Sequence, residues 1–248
     1  MCFDLDSSPP VPVSGGAVRH HRLQLTAGEG NVLDAFEAFP DGAADTAVIV
    51  LPDVRGLFAF YEELAERLAE AGHHAIVIDY FGRTAGTGRR SDGFEFMDHV
   101  RQTTFAGVRA DVAAAVDHLR GGSGSKVFVM GFCFGGSNAW HMAAEGFGLD
   151  GVIGFYGHPD RDFPPGSGSV MGKVDRMECP VLGLMGGDDP GIPVDLVDRF
   201  RAALAGAGAD HEVVVYPAAP HSFFDRKHAD FAAESADAWE RVLAFLER

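Results

Sequence analysis

Along the chain, short uninterrupted apolar runs alternate with stretches in which apolar residues recur at helical spacing. "AVIVL" (47–51), "AIVID" (75–79), "KVFVM" (126–130), "GVIGFY" (151–156), "VLGLMG" (181–186) and "EVVVY" (212–216) predict buried strands. Apolarity on successive residues requires cover on both faces, as in a parallel sheet between two helix layers. "VRHHRLQL" and "VLDAFEAF", around the turn "TAGEGN", predict an antiparallel hairpin ahead of that sheet. Leu57, Phe60, Tyr61, Leu64 and Leu68 form one helical stripe, ended at Gly72; Val108, Val112, Val116 and Leu119 form another, ended at "GGSG". A last stripe runs through Phe231, Ser235, Trp239, Val242 and Leu246, with Ala238 and Phe245 beside it. These stripes read as core rather than cofactor contacts, and the order predicts a doubly wound α/β sandwich.

The length, 248 residues, allows roughly 70–75% of the unfolded surface to be buried. Residues 1–16 are acidic and rich in Pro, Ser and Gly and read as a loose lead-in. Nothing in the composition divides residues 17–248, which read as one domain. A net charge of −16 argues against nucleic-acid backbones and anionic membrane surfaces as partners. No leader-like pattern or membrane-length apolar run is evident. The three cysteines, Cys2, Cys133 and Cys179, are too few and scattered for a disulfide framework. A cytoplasmic, reducing location with a free Cys133 is the expectation.

Candidate chemistry begins at "GFCFGG" (131–136), between a strand and a helix opening near Gly136. Gly131, Cys133 and Gly135 fit the G-x-nucleophile-x-G elbow, with cysteine in place of serine. The turn is so sharp that side chains at the flanking glycines would meet backbone. The following helix would aim its positive end at the sulfur. Taken alone, the same six residues also fit a buried structural cysteine. Two later segments follow strands and can reach the same sheet edge: "GGDDPGIP" with Asp188 and Asp189, and "PHSFF" with His221. Nucleophile, acid, histidine is the chain order of this fold's triads, though either aspartate could supply the acid. In that chemistry the oxyanion donors are the backbone N–H groups of Phe134 and, from the loop after strand 47–51, Val54.

With these motifs, and with "LPDVRGL" and "DYFGR" in support, the chain resembles the dienelactone hydrolase family, the cysteine-dependent branch of the α/β-hydrolase fold. The resemblance spans nearly the whole chain. It implies Cys133 as nucleophile, Asp189 rather than Asp188 as acid, and His221 as base. Asp53 falls where the family has a glutamate that modulates the thiol. Arg83 matches one of two arginines that hold a substrate carboxylate in the family. The second position is occupied by Asp225, with Arg226 next to it. An acid there disfavours an anionic substrate and points to a neutral ester or lactone.

The reading is therefore a hydrolase of small esters or lactones without metal or organic cofactor, monomeric or homodimeric, working through a thioester acyl-enzyme. A redox sensor at Cys133 and a non-catalytic binding module are the alternatives. The segment 161–179 is long for a connection and either shapes the pocket or forms a loose tip. "GGSGSK" lacks phosphate-loop spacing, "TAGTGRRSDG" reads as a flexible basic loop, and the paired histidines His20–His21 and His73–His74 lack metal-site spacing.

Overall fold

The computed structural model describes residues 7–10, 15–90, 93–123, 126–225 and 227–248. Its eight strands are β1 (Val18–Thr26), β2 (Val32–Pro40), β3 (Thr46–Leu51), β4 (His74–Ile78), β5 (Lys126–Phe132), β6 (Gly151–Phe155), β7 (Val181–Gly186) and β8 (His211–Tyr216). They form one sheet in the order β1-β2-β4-β3-β5-β6-β7-β8. The β1–β2 hairpin joins it antiparallel through β2 and β4, and the strands from β4 to β8 run parallel. The helices are α1 (Ala59–Glu70), α2 (Gly82–Ala85), α3 (Phe96–Gln102), α4 (Phe105–Ser123), α5 (Phe134–Met142), α6 (Val194–Ala207) and α7 (Ala232–Leu246).

Alternate residues of the buried strands face opposite layers. Ala47, Ile49 and Leu51 of β3 and Val127 and Val129 of β5 pack with α4, α5 and α6 through Val112, Trp140 and Phe200. Val48 and Val50, with Phe128, Met130 and Phe132, pack with α1 and α7 through Leu64, Leu68 and Val242. The central strands are apolar on every residue because each face has its own core. Below the carboxyl ends of β5 and β6, Phe132 stacks on Phe155 at 4.7 Å, and Phe224 lies 4.6 Å from Phe155.

The structure differs from the sequence reading at two helices and one loop. The second predicted stripe runs on through Gly121 and Gly122 to Ser123 rather than ending before them. The helix after β5 opens at Phe134, two residues earlier than expected. The basic loop "TAGTGRRSDG" is partly ordered by Arg90, whose guanidinium donates to the buried Asp79 carboxylate at 2.6 Å. The histidines of the hairpin side also have a structural job. His74 and His118 each place a ring nitrogen 2.8 Å from buried Glu37, and His21 lies 3.2 Å from its other oxygen. No described helix is long and apolar enough to cross a membrane.

Candidate active site

Cys133 is the N-cap of α5, with φ 53° and ψ −111°. The elbow is forced by contacts on both sides. A Cβ at Gly131 would run into the Gly135 carbonyl, and one at Gly135 into the carbonyls of Leu51 and Pro52. The Cys133 N–H donates to the Phe155 carbonyl at 2.9 Å, fixing the turn against β6. Sequence and packing together push a non-glycine residue into a costly backbone region. Cys133, Tyr156 (φ 37°) and Ser222 (φ 63°) are the non-glycine residues at positive φ among those described. Each such residue costs on the order of 1–3 kcal/mol unless its surroundings hold it. All three lie at one edge of the sheet: Cys133 and Tyr156 follow β5 and β6, and Ser222 follows His221.

His221 Nδ1 lies 2.6 Å from Asp189 Oδ2. The other Asp189 oxygen accepts the Gly191 N–H at 2.9 Å. Burial pushes the Asp189 carboxyl up. The hydrogen bond and charge of His221, with the N–H groups of Gly191 and Ile192, outweigh it and hold the carboxyl below its ordinary range. Asp188 sits one residue earlier, its N–H donating to the Ala219 carbonyl at 2.9 Å. The geometry therefore brings Asp189, not Asp188, to the imidazole.

Cys133, Asp189 and His221 line one cavity of about 330 Å³ with Val54, Phe134, Ser137, Tyr156, His158, Arg161, Phe163, Gly191 and Ile192. It opens at the carboxyl ends of the parallel strands, where open α/β sheets bind ligands. The Phe134 N–H is the first of α5 and has no acceptor within its own helix, the property an oxyanion donor needs. Val54, from the loop between β3 and α1, lies across the cavity wall.

The residues expected around this core are placed differently. Asp53 is buried, and one of its carboxylate oxygens accepts the Arg55 N–H at 2.7 Å; it does not line the cavity. Arg83 is held by Asp111 at 2.6 Å and by Glu29, beside a separate space of about 20 Å³. Asp225 is buried and accepts a hydrogen bond from the Tyr156 hydroxyl at 2.7 Å, so it does not face a ligand in the cavity. Arg226 lies outside the described residues.

Ser137, Tyr156, His158, Arg161 and Phe163 line the cavity although no motif marked them. The usable signal was positional, since "YGHPDRDF" directly follows β6 at the strand end where ligands bind. The long segment after it does shape the pocket, through Arg161 and Phe163. Asp162 between them organises the turn, accepting the N–H groups of Gly166 at 3.1 Å and Gly168 at 2.9 Å. Burial first, and then the Arg161 charge, push the His158 imidazole below its ordinary value. At neutral pH His158 is therefore an uncharged hydrogen-bonding wall, and Arg161 is the cation.

Cys133 and Cys179 are both free thiols, but their settings differ. Cys133 opens into the cavity, whereas burial pushes the Cys179 thiol up to about 12. Native-state iodoacetamide labelling followed by peptide mapping is expected to modify Cys133 readily and leave Cys179 unmodified. Equal labelling of the two would contradict the burial difference.

Comparisons with known proteins agree with this architecture. The dienelactone hydrolase family model matches residues 33–248. A Salmonella typhimurium protein named "Putative carboxymethylenebutenolidase" is 33% identical over 237 residues, covering 88% of this chain and 83% of its own. The carboxymethylenebutenolidase of Rhodococcus opacus is 29% identical over 276 residues, covering 100% of this chain and 97% of its own. The crystal structure titled as a putative dienelactone hydrolase from Klebsiella pneumoniae superposes with a TM-score of 0.83 at 28% identity, covering 94% of this chain and 100% of that one.

Proposed function

Because this chain belongs to the dienelactone hydrolase family and is a hydrolase of the α/β fold, we propose that it cleaves small esters or lactones with a Cys133–His221–Asp189 triad. The observation that carries the reading is the shared cavity. The strained cysteine at a helix N-terminus and the carboxylate-oriented histidine line the same 330 Å³ space.

In this mechanism His221 takes the thiol proton while Asp189 steadies the imidazolium. The thiolate attacks the substrate carbonyl, and the N–H groups of Phe134 and Val54 receive the oxyanion. Collapse of the tetrahedral adduct breaks the C–O bond, and the leaving alkoxide takes the proton from His221. A thioester on Cys133 remains. His221 then removes a proton from water, the resulting hydroxide attacks the thioester, and the acid departs as the thiol is restored. The sensor alternative is disfavoured because Cys179, its candidate resolving thiol, is buried and poorly ionised.

The cavity also bears on substrate charge. Arg161 lines it, whereas Arg83 is already engaged by Asp111 and Glu29. A carboxylate on the acyl side of the substrate can be met by Arg161 rather than by the two positions the family uses. The test compares a neutral 4-nitrophenyl acetate with a mono-4-nitrophenyl succinate in wild type and Arg161→Gln. The expected result is turnover of both esters by wild type. The substitution should shift the preference, measured as the ratio of kcat/KM values, at least about tenfold toward the neutral ester, as loss of a charged hydrogen bond implies. Failure of wild type to hydrolyse either ester counts against the hydrolase reading for this substrate class. An unchanged ratio removes Arg161 from substrate selection.

A further inference from the structure

Tyr156 packs against one reacting group and directly follows the residue that anchors the backbone of the other. It follows β6, one residue after the carbonyl of Phe155 that accepts the Cys133 N–H at 2.9 Å. Its own N–H donates to the Leu184 carbonyl at 2.9 Å, which ties it to β7. Its ring lies 4.9 Å from the His221 imidazole, tilted by 56°. Its hydroxyl donates to Asp225 Oδ2 at 2.7 Å. Asp225 is 1% exposed and belongs to the same turn as His221. Ser222, at positive φ, reverses the chain directly after the histidine.

From these contacts we infer that Tyr156 and Asp225 are a positioning pair that sets the His221 imidazole relative to the Cys133 sulfur. The inference rests on the proposed triad and deepens it. A turn with a residue in left-handed backbone is locally unfavourable and holds its shape only if its ends are tied down. Phe223 and Phe224 bury themselves in the core and fix the turn's depth. Burial of two phenyl rings resists withdrawal from the core but is non-directional, and the turn's backbone is tied to its own C-terminal side, the Ser235 hydroxyl donating to the Phe223 carbonyl and the Lys227 N–H to the Ser222 carbonyl, each at 3.1 Å. The Tyr156–Asp225 hydrogen bond is directional and ties the turn to the strand end beside the nucleophile. Tyr156 is referenced to the same short strand end that holds Cys133, so the bond ties base to nucleophile through very few links. The buried carboxylate, where the family has an arginine for substrate, is thereby given a role in holding the base.

The test measures kcat and KM for 4-nitrophenyl acetate in wild type, Tyr156→Phe, Asp225→Asn, Asp225→Ala and the Tyr156→Phe/Asp225→Ala double variant. It also measures the rate of Cys133 alkylation by iodoacetamide across pH. Tyr156→Phe keeps the ring and the packing but loses the hydroxyl donor. Its kcat is expected to fall about tenfold to a hundredfold with KM within twofold, the signature of a misplaced group. Asp225→Ala should fall similarly. Asp225→Asn retains an acceptor and should recover most of the rate. The double variant should be no worse than the worse single one, because both remove one interaction. The alkylation profile of Tyr156→Phe should move toward that of an unassisted thiol. A Tyr156→Phe enzyme with wild-type kcat and wild-type alkylation overturns the inference, as do losses that multiply in the double variant. Alkylation reads the placement of His221 without ester turnover. If wild type fails to cleave the ester while its alkylation profile still depends on Tyr156, only the hydrolase reading fails.

Discussion

Cys133→Ala is expected to lower kcat/KM for small aryl esters by about 10⁴-fold or more, as loss of the nucleophile does in comparable triads. Residual activity would come from the remaining cavity and its oxyanion donors acting on water. The substitution is a clean one because alanine keeps the Cβ and therefore the same φ 53° backbone cost, so the melting temperature should stay close to wild type. Cys133→Gly offers an instructive contrast. Glycine adopts this backbone without penalty, and relief of the strain should stabilise the fold by roughly 1 kcal/mol while activity is equally lost. Stability rising as activity disappears would locate the cost of the elbow at the residue that uses it. Hydrolysis kinetics and thermal unfolding of the three proteins decide the matter. Wild-type turnover in Cys133→Ala would remove this residue from the chemistry.

The parallel sheet was legible because its strands are apolar on every residue, a pattern that only two-sided burial explains. The six internal runs coincide with β3 to β8 within two residues at each end. The elbow was legible for a related reason: glycine at 131 and 135 is demanded by backbone contacts that any chain making this turn must meet. Asp189 and His221 could be placed at the same edge because each follows a strand. What the sequence did not carry was the direction of side chains on loops. Arg83 matches a motif, yet Asp111 and Glu29, distant in sequence, hold its guanidinium. Asp225 read as a repulsive charge facing substrate because nothing in its neighbourhood names Tyr156 as its partner. Arg161 carried no motif at all. Its place in the cavity depends on the course of the segment after β6, which Asp162 fixes through backbone N–H groups. Short helices were also missed: α2, with four residues, is too short to show a periodic stripe.

Asp189→Asn is expected to reduce kcat/KM by up to about 10⁴-fold, the scale seen when a triad acid loses its charge and forces the wrong imidazole tautomer. Some thiol enzymes work with asparagine in this role, so the local geometry must be considered. Here both carboxylate oxygens are spoken for. Oδ2 faces His221 Nδ1 at 2.6 Å, and Oδ1 accepts the Gly191 N–H at 2.9 Å. An amide has one acceptor. If its oxygen stays with Gly191, the NH2 group faces Nδ1, which must then be unprotonated. The remaining proton moves to Nε2, and the histidine can no longer take one from the thiol. If the oxygen turns to His221 instead, NH2 meets the Gly191 N–H, two donors oppose each other and the turn must deform. Only a carboxylate satisfies both partners. The pH dependence follows the same logic. The folded carboxyl lies below its ordinary value, so its support of His221 is fully present above the unfolded pKa and is lost only as pH falls through the depressed folded one. In wild type, then, Asp189 protonation should not limit activity in the mildly acid range. Asp188→Asn, one residue away with no contact to the imidazole, should retain near-wild-type activity. Parallel pH–rate profiles of the two variants distinguish them, and a larger loss at 188 than at 189 would reverse the assignment of the acid.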